Sequence, residues 1–320
     1  MKAAVVSSFG APPRYEDFPD PAPAGDNELV VTVLAAGLHP RVRAQADGSH
    51  YTSTGELPLV PGIDGVGRGP DGLLRYFILP GTTLGAMAEQ TVIDTRRSIV
   101  LPSGSDPVAV AAAMNPAMSS WVALRRRVPF RAGQSLLILG ATGNAGQLAV
   151  QIAKLSGALR IVAAGRNAER LARLPAAGAT DTVSLDGKPE VVARRLSQAA
   201  GDVDAVLDYL WGEPTAAAMA AIATGRADRG KPLTWIQAGS IAGPTAQILS
   251  AALRGTRLTI VGSGQGSVSA REYLAELPAL AEEIAAGTLH IGARAMPLAE
   301  VEKAWAAVGA THRIVVTPQQ

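Results

Sequence analysis

The segment SLLILGATGNAGQLAVQIAKLSG, residues 135–157, constrains the fold more than any other part of the chain. It begins with an apolar, strand-like run, contains Gly140, Gly143 and Gly146, and continues as an amphipathic run without proline. A strand that leads directly into a helix leaves backbone N–H groups unpaired at the helix start, where an anion binds favourably if no side chain blocks it. The segment therefore predicts a strand–turn–helix unit that binds a phosphate-bearing ligand.

The glycine spacing differs at one position from the dinucleotide-binding fingerprint G-x-G-x-x-G. In that register the first glycine is replaced by Ala141, and the observed spacing is Gly140-x-x-Gly143-x-x-Gly146. Gly143 removes a side chain at the turn, and Gly146 allows either close helix–strand packing or the close approach of a phosphate. Turn and packing glycines without a ligand are the alternative, but the position between strand and helix, followed by a second βα unit, favours dinucleotide binding.

The end of the next strand candidate, RIVAAG at residues 160–165, indicates which dinucleotide binds. Sites that prefer NAD carry an acidic residue about 20 residues after the glycines, where it bonds the ribose hydroxyls. Here the strand ends in Gly165, Arg166 and Asn167, without Asp or Glu. A planar guanidinium suits a ribose phosphate, so Arg166 predicts NADPH rather than NADH. A surface arginine at a strand end is the alternative.

Strand and helix patterns alternate from residue 135 onwards, with further strand candidates at 204–210, 232–239 and 257–264. This alternation predicts βαβ units and a doubly wound parallel sheet. The first hundred residues instead show short apolar runs between Gly and Pro turns, which favours a barrel-like β domain. Between these regions, residues 106–128 are helix-like, with a predicted break at Asn115–Pro116. The tail predicts one helix and a final strand.

Composition narrows the class of protein. The 320-residue chain has a formal net charge of +2 and no cysteine. Disulfides, zinc–thiolate sites and a cysteine nucleophile are therefore excluded. The cluster Arg125–Arg127 is interpreted as a solvated helix end. The sequence contains no stripe of basic residues interleaved with aromatic ones, so we do not expect the protein to bind nucleic acid. The N-terminus lacks a signal-peptide pattern and no apolar run approaches the ~20 residues of a membrane span, so we expect a cytoplasmic protein that contacts no membrane.

Several motifs in order along the chain resemble the medium-chain dehydrogenases/reductases. They are MKAAVVSSFG, VTVLAAGLHPRVRAQADGSHY, LPLVPGIDGVG, AEQTVID, AMSSWVAL and LILGATGNAGQLAVQIAKLSGA. The order and spacing cover nearly the whole chain, and the most similar branch is the zinc-free quinone oxidoreductases. The resemblance implies a GroES-like β domain over residues 1–112, completed by 272–320, and a Rossmann-type NADPH-binding domain over 113–271. It also implies a homodimer and NADPH bound in the cleft between the domains.

The resemblance further implies which residues contact the coenzyme. Gly143, Asn144 and Ala145 are expected to face the pyrophosphate, and Arg166 the adenosine 2′-phosphate. Ser119 is expected near the nicotinamide, where the family often has threonine. The full expected set is Ser119, Gly140, Gly143, Asn144, Ala145, Gly146, Gly165, Arg166, Leu207, Asp208, Ala238 and Gly239. Of these, Leu207 and Asp208 correspond to the fourth strand near the riboses, and Ala238 and Gly239 lie near the nicotinamide.

The predicted catalytic residues are Tyr51, which matches a family tyrosine lining the substrate site, and His39, at a polar position near the nicotinamide. A turn tyrosine and a hydrogen-bonded structural histidine are the alternatives. Where the zinc members have a cysteine and a His-Glu pair, this chain has His39 and Ile63-Asp64, so no metal is expected. Asp64 is interpreted as an anchor of its loop.

Two departures from the family pattern affect the expected site. Leu185 replaces a tyrosine that helps to hold the 2′-phosphate, and the stretch after GIDGVG is shorter than usual. GSGQGSVS, residues 262–269, is interpreted as a linker or a lid.

The sequence thus predicts an NADPH-dependent, metal-free reductase that transfers hydride to a quinone, an enone or a related conjugated carbonyl. Such a substrate requires little from protein acids, because the coenzyme carries the chemistry and one proton completes the reaction. The alternatives are a secondary-metabolite reductase or cyclising enzyme of the same fold, and a sensor that binds NADPH without turnover.

Overall fold

The computed structural model describes residues 1–50, 53–264, 266–307 and 312–318. The chain divides into two compact units, Met1–Asn115 with Leu274–Gln320, and Pro116–Tyr273. Each unit has its own apolar core.

The first unit is mainly β structure. Its N-terminal part contains β1 (Lys2–Val5), β2 (Arg14–Asp17), β3 (Glu28–Gly37), α1 (Pro40–Ala46), β4 (Asp64–Arg68), β5 (Leu74–Ile78), β6 (Gln90–Asp94) and β7 (Ser98–Val100). Helix α2 (Pro107–Val122) follows and ends in a π-helical turn at Ala123–Arg127, where the three arginines are exposed as expected.

Helix α2 passes through Pro116 without a break, so the predicted interruption at Asn115–Pro116 is wrong. Proline removes one N–H from the helix and disfavours the helical conformation of the residue before it. Apolar side chains on both sides of Pro116, including Met114, Met118 and Trp121, are buried. Their burial outweighs the local preference of the proline for a helix end.

The second unit has the predicted alternation of strands and helices. Its elements are β8 (Ser135–Leu139), α3 (Asn144–Leu155), β9 (Arg160–Gly165), α4 (Ala168–Ala177), β10 (Asp181–Ser184), α5 (Pro189–Ala200), β11 (Ala205–Asp208), α6 (Gly212–Gly225), β12 (Leu233–Gln237), α7 (Ser250–Gly255) and β13 (Leu258–Gly262). Helix α8 (Ala270–Ala285) returns the chain to the first unit, which ends with β14 (Ala293–Pro297), α9 (Val301–Ala306) and β15 (Arg313–Thr317).

The described strands of the first unit form a two-stranded sheet of β1 and β2 and a mixed sheet in the order β14-β15-β3-β4-β5-β7, with β6 paired to β3. The C-terminal strand β15 therefore completes the N-terminal sheet by pairing antiparallel to β3. Val33, Met87 and Val316 meet in the core between these elements.

The sheet of the second unit is parallel, in the order β10-β9-β8-β11-β12-β13 among the described strands. From β8 in the middle of the sheet, the chain adds β9 and then β10 towards one edge. It then crosses back to place β11 on the other side of β8, and adds β12 and β13 towards the opposite edge. The order of strands reverses between β8 and β11. In open α/β sheets, ligands bind outside the carboxyl ends of the strands at such a switch point.

One described helical segment, Pro107–Arg127, is long and apolar enough to span a membrane. Its most apolar window is 72% buried inside the protein. Such burial is typical of a core helix in a soluble protein.

Candidate functional site

The loop between β8 and α3 lies at the switch point of the parallel sheet. Gly140 ends the strand with φ +86°, a left-handed conformation that favours glycine. Gly143 precedes the first residue of α3, and it offers no side chain to cap the helix. The N–H groups of Asn144, Ala145 and Gly146 have no protein acceptor within the described residues. This helix start is therefore available to an external acceptor.

Gly143 and Gly146 have different structural requirements. A Cβ atom on Gly146 would lie 2.3 Å from the carbonyl oxygen of Gly140, so this glycine is needed for helix–strand packing. A Cβ atom on Gly143 would contact only that same oxygen, at 3.4 Å, and its φ of −76° suits any residue. The fold itself therefore does not require glycine at 143. The open space in front of the helix is what a phosphate needs.

The end of β9 lies against the same loop. A Cβ atom on Gly165 would lie 2.5 Å from the Thr142 methyl group, so the two segments touch closely. Arg170 donates from Nη1 to the carbonyl oxygen of Thr142 at 3.2 Å, and Asn167 caps α4. Arg166 is exposed and makes no ion pair or hydrogen bond within the described part of the chain. Its guanidinium is available for a ligand at this edge.

Leu185, the residue in place of the family tyrosine, follows β10 next to the end of β9. Its N–H donates to the carbonyl oxygen of Gly165 at 2.9 Å, and its side chain packs against the core of the unit. It therefore contributes no polar group beside Arg166.

Asp208, at the end of β11, is fully buried and has a structural role that the sequence did not reveal. Its Oδ1 accepts the N–H groups of Leu210 and Trp211 at 2.8 and 3.1 Å. Its Oδ2 accepts the hydroxyl of Thr215 at 2.6 Å and the indole N–H of Trp235 at 2.9 Å. These four donors satisfy the carboxylate, as a buried charge requires.

The other expected contacts on these strands lie near Asp208. The carbonyl oxygen of Asp208 accepts the N–H groups of Ala238 at 2.8 Å and Gly239 at 3.1 Å, which joins the ends of β11 and β12. Leu207 is buried within the sheet, between Ile138 and Ile236. Any coenzyme contact of Leu207 or Asp208 would have to involve the backbone.

Tyr209 is a polar residue at the switch point that the sequence analysis did not select. Its backbone N–H donates to the carbonyl oxygen of Leu139 at 3.2 Å, and its hydroxyl lies 2.9 Å from Oγ of Ser119. Ser119 donates to the carbonyl oxygen of Pro116, so the Tyr209 hydroxyl donates to Ser119. Burial raises the pKa of Tyr209 to about 12, so the phenol is neutral at physiological pH. The position directly after a strand end was the signal that could have identified it.

In the first unit, His39 belongs to a buried polar cluster. His39 Nε2 lies 3.1 Å from Oδ1 of Asp64, and the Tyr76 hydroxyl donates to Asp64 Oδ2 at 2.7 Å. Burial lowers the pKa of His39, although Asp64 opposes this effect. Burial also lowers the pKa of Arg313 to about 10, and the negative charge of Asp64 favours its charged form. Because its pKa is lowered, His39 is neutral, and its Nε2–H donates to Oδ1 of Asp64. Tyr51, the other predicted catalytic residue, lies outside the described residues.

Comparison with known proteins identifies the family. A family model described as zinc-binding dehydrogenase matches residues 145–282. The probable NADPH-dependent quinone reductase tdiC of Emericella nidulans is 31% identical over an alignment 346 positions long, which covers 95% of this chain and 96% of that protein. This chain belongs to the quinone oxidoreductase branch of the medium-chain dehydrogenase/reductase superfamily. The predicted family is confirmed, and the chain is a quinone oxidoreductase-like enzyme.

Two further relatives extend the comparison. The quinone oxidoreductase from Thermus thermophilus, solved alone and with NADPH, is 27% identical, has a TM-score of 0.80, and matches over 99% of this chain and 100% of its own. The NADPH-dependent alkenal/one oxidoreductase of Arabidopsis thaliana is 26% identical in a match that covers 56% of this chain and 51% of that protein. The structural match confirms the fold class, a GroES-like β domain with a Rossmann domain.

Although the matching family is one of zinc-binding dehydrogenases, the described side chains of this chain form no zinc site. The sequence contains no cysteine. Within the described ranges, no group of three or more His, Asp or Glu residues could hold a metal ion. His39 and Asp64, at positions equivalent to zinc ligands by resemblance, are hydrogen-bonded to each other. Asp64, the first residue of β4, thus bonds to His39 and Tyr76, and its interpretation as an anchor of its loop stays a prediction.

The buried His39 generates a prediction about stability. Its pKa is lowered in the folded protein, whereas in the unfolded chain it returns to about 6.5. Above that value neither state binds the proton. Below it the unfolded chain gains a proton that the folded protein excludes, so His39 decreases the free energy of unfolding by up to about 1.4 kcal/mol per pH unit.

When the pH is lowered from about 7.5 to about 5.5, we therefore expect the free energy of unfolding of the wild type to fall by more than that of His39→Asn. Urea unfolding at both pH values measures it. His290→Asn, at an exposed histidine, is the control for removal of one imidazole. If the free energies of unfolding of wild type and His39→Asn differ by the same amount at both pH values, His39 is not held neutral by burial.

Proposed function

We propose that this chain is an NADPH-dependent, metal-free reductase that transfers hydride to a quinone, an enone or a related conjugated carbonyl. The observation that carries the proposal is the open start of α3 at the switch point. There, three N–H groups lack protein acceptors among the described residues, and a Cβ atom on Gly143 would meet only one atom within 4 Å. These features fit a dinucleotide pyrophosphate. The NADPH named for the Thermus and Emericella relatives supports the choice of coenzyme.

Bound NADPH would supply the hydride. In the proposal, Gly143, Asn144 and Ala145 bind the pyrophosphate, and Gly140, Gly146 and Gly165 bring the surrounding segments close enough to form its pocket. Ala238 and Gly239 border the nicotinamide with their backbone, which the carbonyl oxygen of Asp208 holds in place. Ser119 also borders the nicotinamide, and its hydrogen bond with Tyr209 fixes its position. Residues 113–271 then form the NADPH-binding domain, and residues 1–112 with 272–320 form the substrate domain.

For the substrate, the proposal retains Tyr51 and His39 as polar groups, with the tyrosine O–H or water as the source of the proton. Neutral His39 donates its Nε2–H to Asp64, so its Nδ1 carries no proton and serves the site only as a hydrogen-bond acceptor held in a fixed orientation. The names of the quinone and alkenal/one reductases support quinones and enones as the substrate class. The secondary-metabolite enzyme and the cytoplasmic location remain predictions.

The main test is NADPH oxidation with 9,10-phenanthrenequinone as acceptor, with and without a chelator. We expect turnover that the chelator does not change. Gly143→Ala should leave the melting temperature unchanged but weaken NADPH binding by about tenfold, because its methyl group would occupy the space of the phosphate. Gly146→Ala is the matched control and should lower the melting temperature, because its Cβ atom overlaps the backbone.

The result of this test separates the function classes. NADPH binding without turnover across a panel of quinones and enones would favour the sensor and overturn the reductase. The absence of any heat on titration with NADPH or NADH would overturn both.

The preference for NADPH should depend on Arg166. We expect Arg166→Ala to weaken NADPH binding by about tenfold or more and to leave NADH binding unchanged, since a charged hydrogen-bond partner of the 2′-phosphate is lost. Titration calorimetry with both coenzymes measures this. Arg173→Ala on α4, where Arg173 pairs with Glu169 on the surface, is the control. Equal affinity of the wild-type enzyme for both coenzymes would contradict the assignment.

The proposed homodimer is supported by the edge of the parallel sheet. Strand β13 pairs with β12 on one side, and no other described strand lies on its second side. An exposed edge strand offers backbone groups for pairing with a second copy. Light scattering of the purified protein should give twice the chain mass of 32.8 kDa, and the mass of one chain would rule the dimer out.

A further inference from the structure

Trp211 has a backbone conformation that is rare for a residue with a side chain. Its φ is 53° and its ψ −166°, and among the described residues it is the one non-glycine with positive φ. This region of backbone space is accessible essentially to glycine alone, because a Cβ atom makes it unfavourable. Such strain persists when surrounding contacts enforce it, and it is concentrated at functional sites.

The contacts that enforce this conformation come from two segments of the second unit, the end of β11 and the segment after β12. The buried carboxylate of Asp208 accepts the N–H of Trp211 at 3.1 Å and that of Leu210 at 2.8 Å. The carbonyl oxygen of Leu210 accepts the N–H of Ala242 at 2.8 Å. The next residue, Gly212, has φ +70°, and a Cβ atom there would lie 2.9 Å from the carbonyl oxygen of Ala242. The loop is thus fixed on both sides of Trp211.

The indole of Trp211 is not used by the core. Trp211 is half-buried, does not belong to the apolar core of the unit, and its indole N–H has no acceptor in the described part of the chain. Trp235 provides the contrast, because it is fully buried and donates its indole N–H to Asp208. The fold therefore holds Trp211 in a strained position without gaining the packing that Trp235 provides.

The position of Trp211 indicates what the indole contacts. It follows β11, the strand that begins the second half of the doubly wound sheet, beside β8 at the switch point. Each half of such a sheet binds one mononucleotide of a dinucleotide. In the proposed function the first half, with the glycine loop and Arg166, binds the adenosine side of NADPH. The second half, which contains Trp211, would then bind the nicotinamide side.

We propose that Trp211 is a coenzyme-binding residue whose indole packs against the nicotinamide half of NADPH. This inference rests on the proposed NADPH-dependent function and deepens it, because it assigns one side chain to one half of the ligand. A large aromatic surface at low entropy cost explains why tryptophan stands where the backbone favours glycine. The strain then serves to aim the ring at the ligand.

Two substitutions at this position test the proposal. Trp211→Gly removes both the ring and the strain, and Trp211→Phe retains an aromatic ring. We expect Trp211→Gly to have a melting temperature equal to or above that of the wild type, yet to bind NADPH roughly tenfold more weakly. Trp211→Phe should restore most of the affinity. Adenosine 2′,5′-bisphosphate, which lacks the nicotinamide half, should bind all three proteins equally in titration calorimetry.

Trp235→Phe is the control for a structural tryptophan and should lower the melting temperature, because it leaves Asp208 without one donor. Equal NADPH affinity of wild type and Trp211→Gly would overturn the inference while leaving the proposed function intact. A lower melting temperature with equal loss of affinity for both ligands would also overturn it, since Trp211 would then be structural. If wild type binds neither ligand, the proposed function itself fails.

Discussion

The buried carboxylate of Asp208 is the interaction on which the arrangement of the candidate site depends. A desolvated charge is tolerated only when donors surround it, and here two backbone N–H groups, a hydroxyl and an indole N–H do so. Those donors belong to the loop after β11, to α6 and to β12. The backbone oxygen of the same residue binds the N–H groups of Ala238 and Gly239. The hydrogen bonds of this one residue therefore join the loop after β11, α6 and the end of β12 on the second half of the sheet.

On the other half of the sheet, glycines rather than a charge set the geometry. Gly146 allows α3 to pack on the loop, and Gly165 allows the end of β9 to touch Thr142, since a Cβ atom at either place would overlap its neighbours. Gly143 differs, because nothing in the described part of the protein requires it. The distinction matters for function: close packing at 146 and 165 fixes the helix start, and the absence of a side chain at 143 keeps it accessible. A glycine pattern thus contains structural and ligand-binding positions that only the neighbouring atoms distinguish.

The sequence predicted the parallel sheet well because its strands are apolar runs with little polar interruption; RIVAAG was predicted with the same bounds that β9 has. It did not predict β2 and β10, whose residues RYED and DTVS are mostly polar, and it placed a break at Pro116 because local propensity contains no information on burial. At the site, the phosphate loop could be found because its signal is local. The hydrogen bonds of Asp208 could not, since Thr215 and Trp235 are distant in sequence, and the positive φ of Trp211 contradicts what its residue type favours.

The features at the switch point share a thermodynamic property. Uncapped N–H groups before α3, a buried carboxylate at Asp208 and a strained backbone at Trp211 each oppose folding locally, and all lie at the carboxyl ends of β8 and β11. A chain selected for stability alone would place a capping side chain at residue 143 and a glycine at 211. A ligand that accepts hydrogen bonds from the N–H groups at the start of α3 compensates for the first of these costs. Because it does so only in the folded state, its binding stabilises the folded state by linkage. These local costs therefore lie where the ligand is expected, as is common in binding sites built on a rigid sheet.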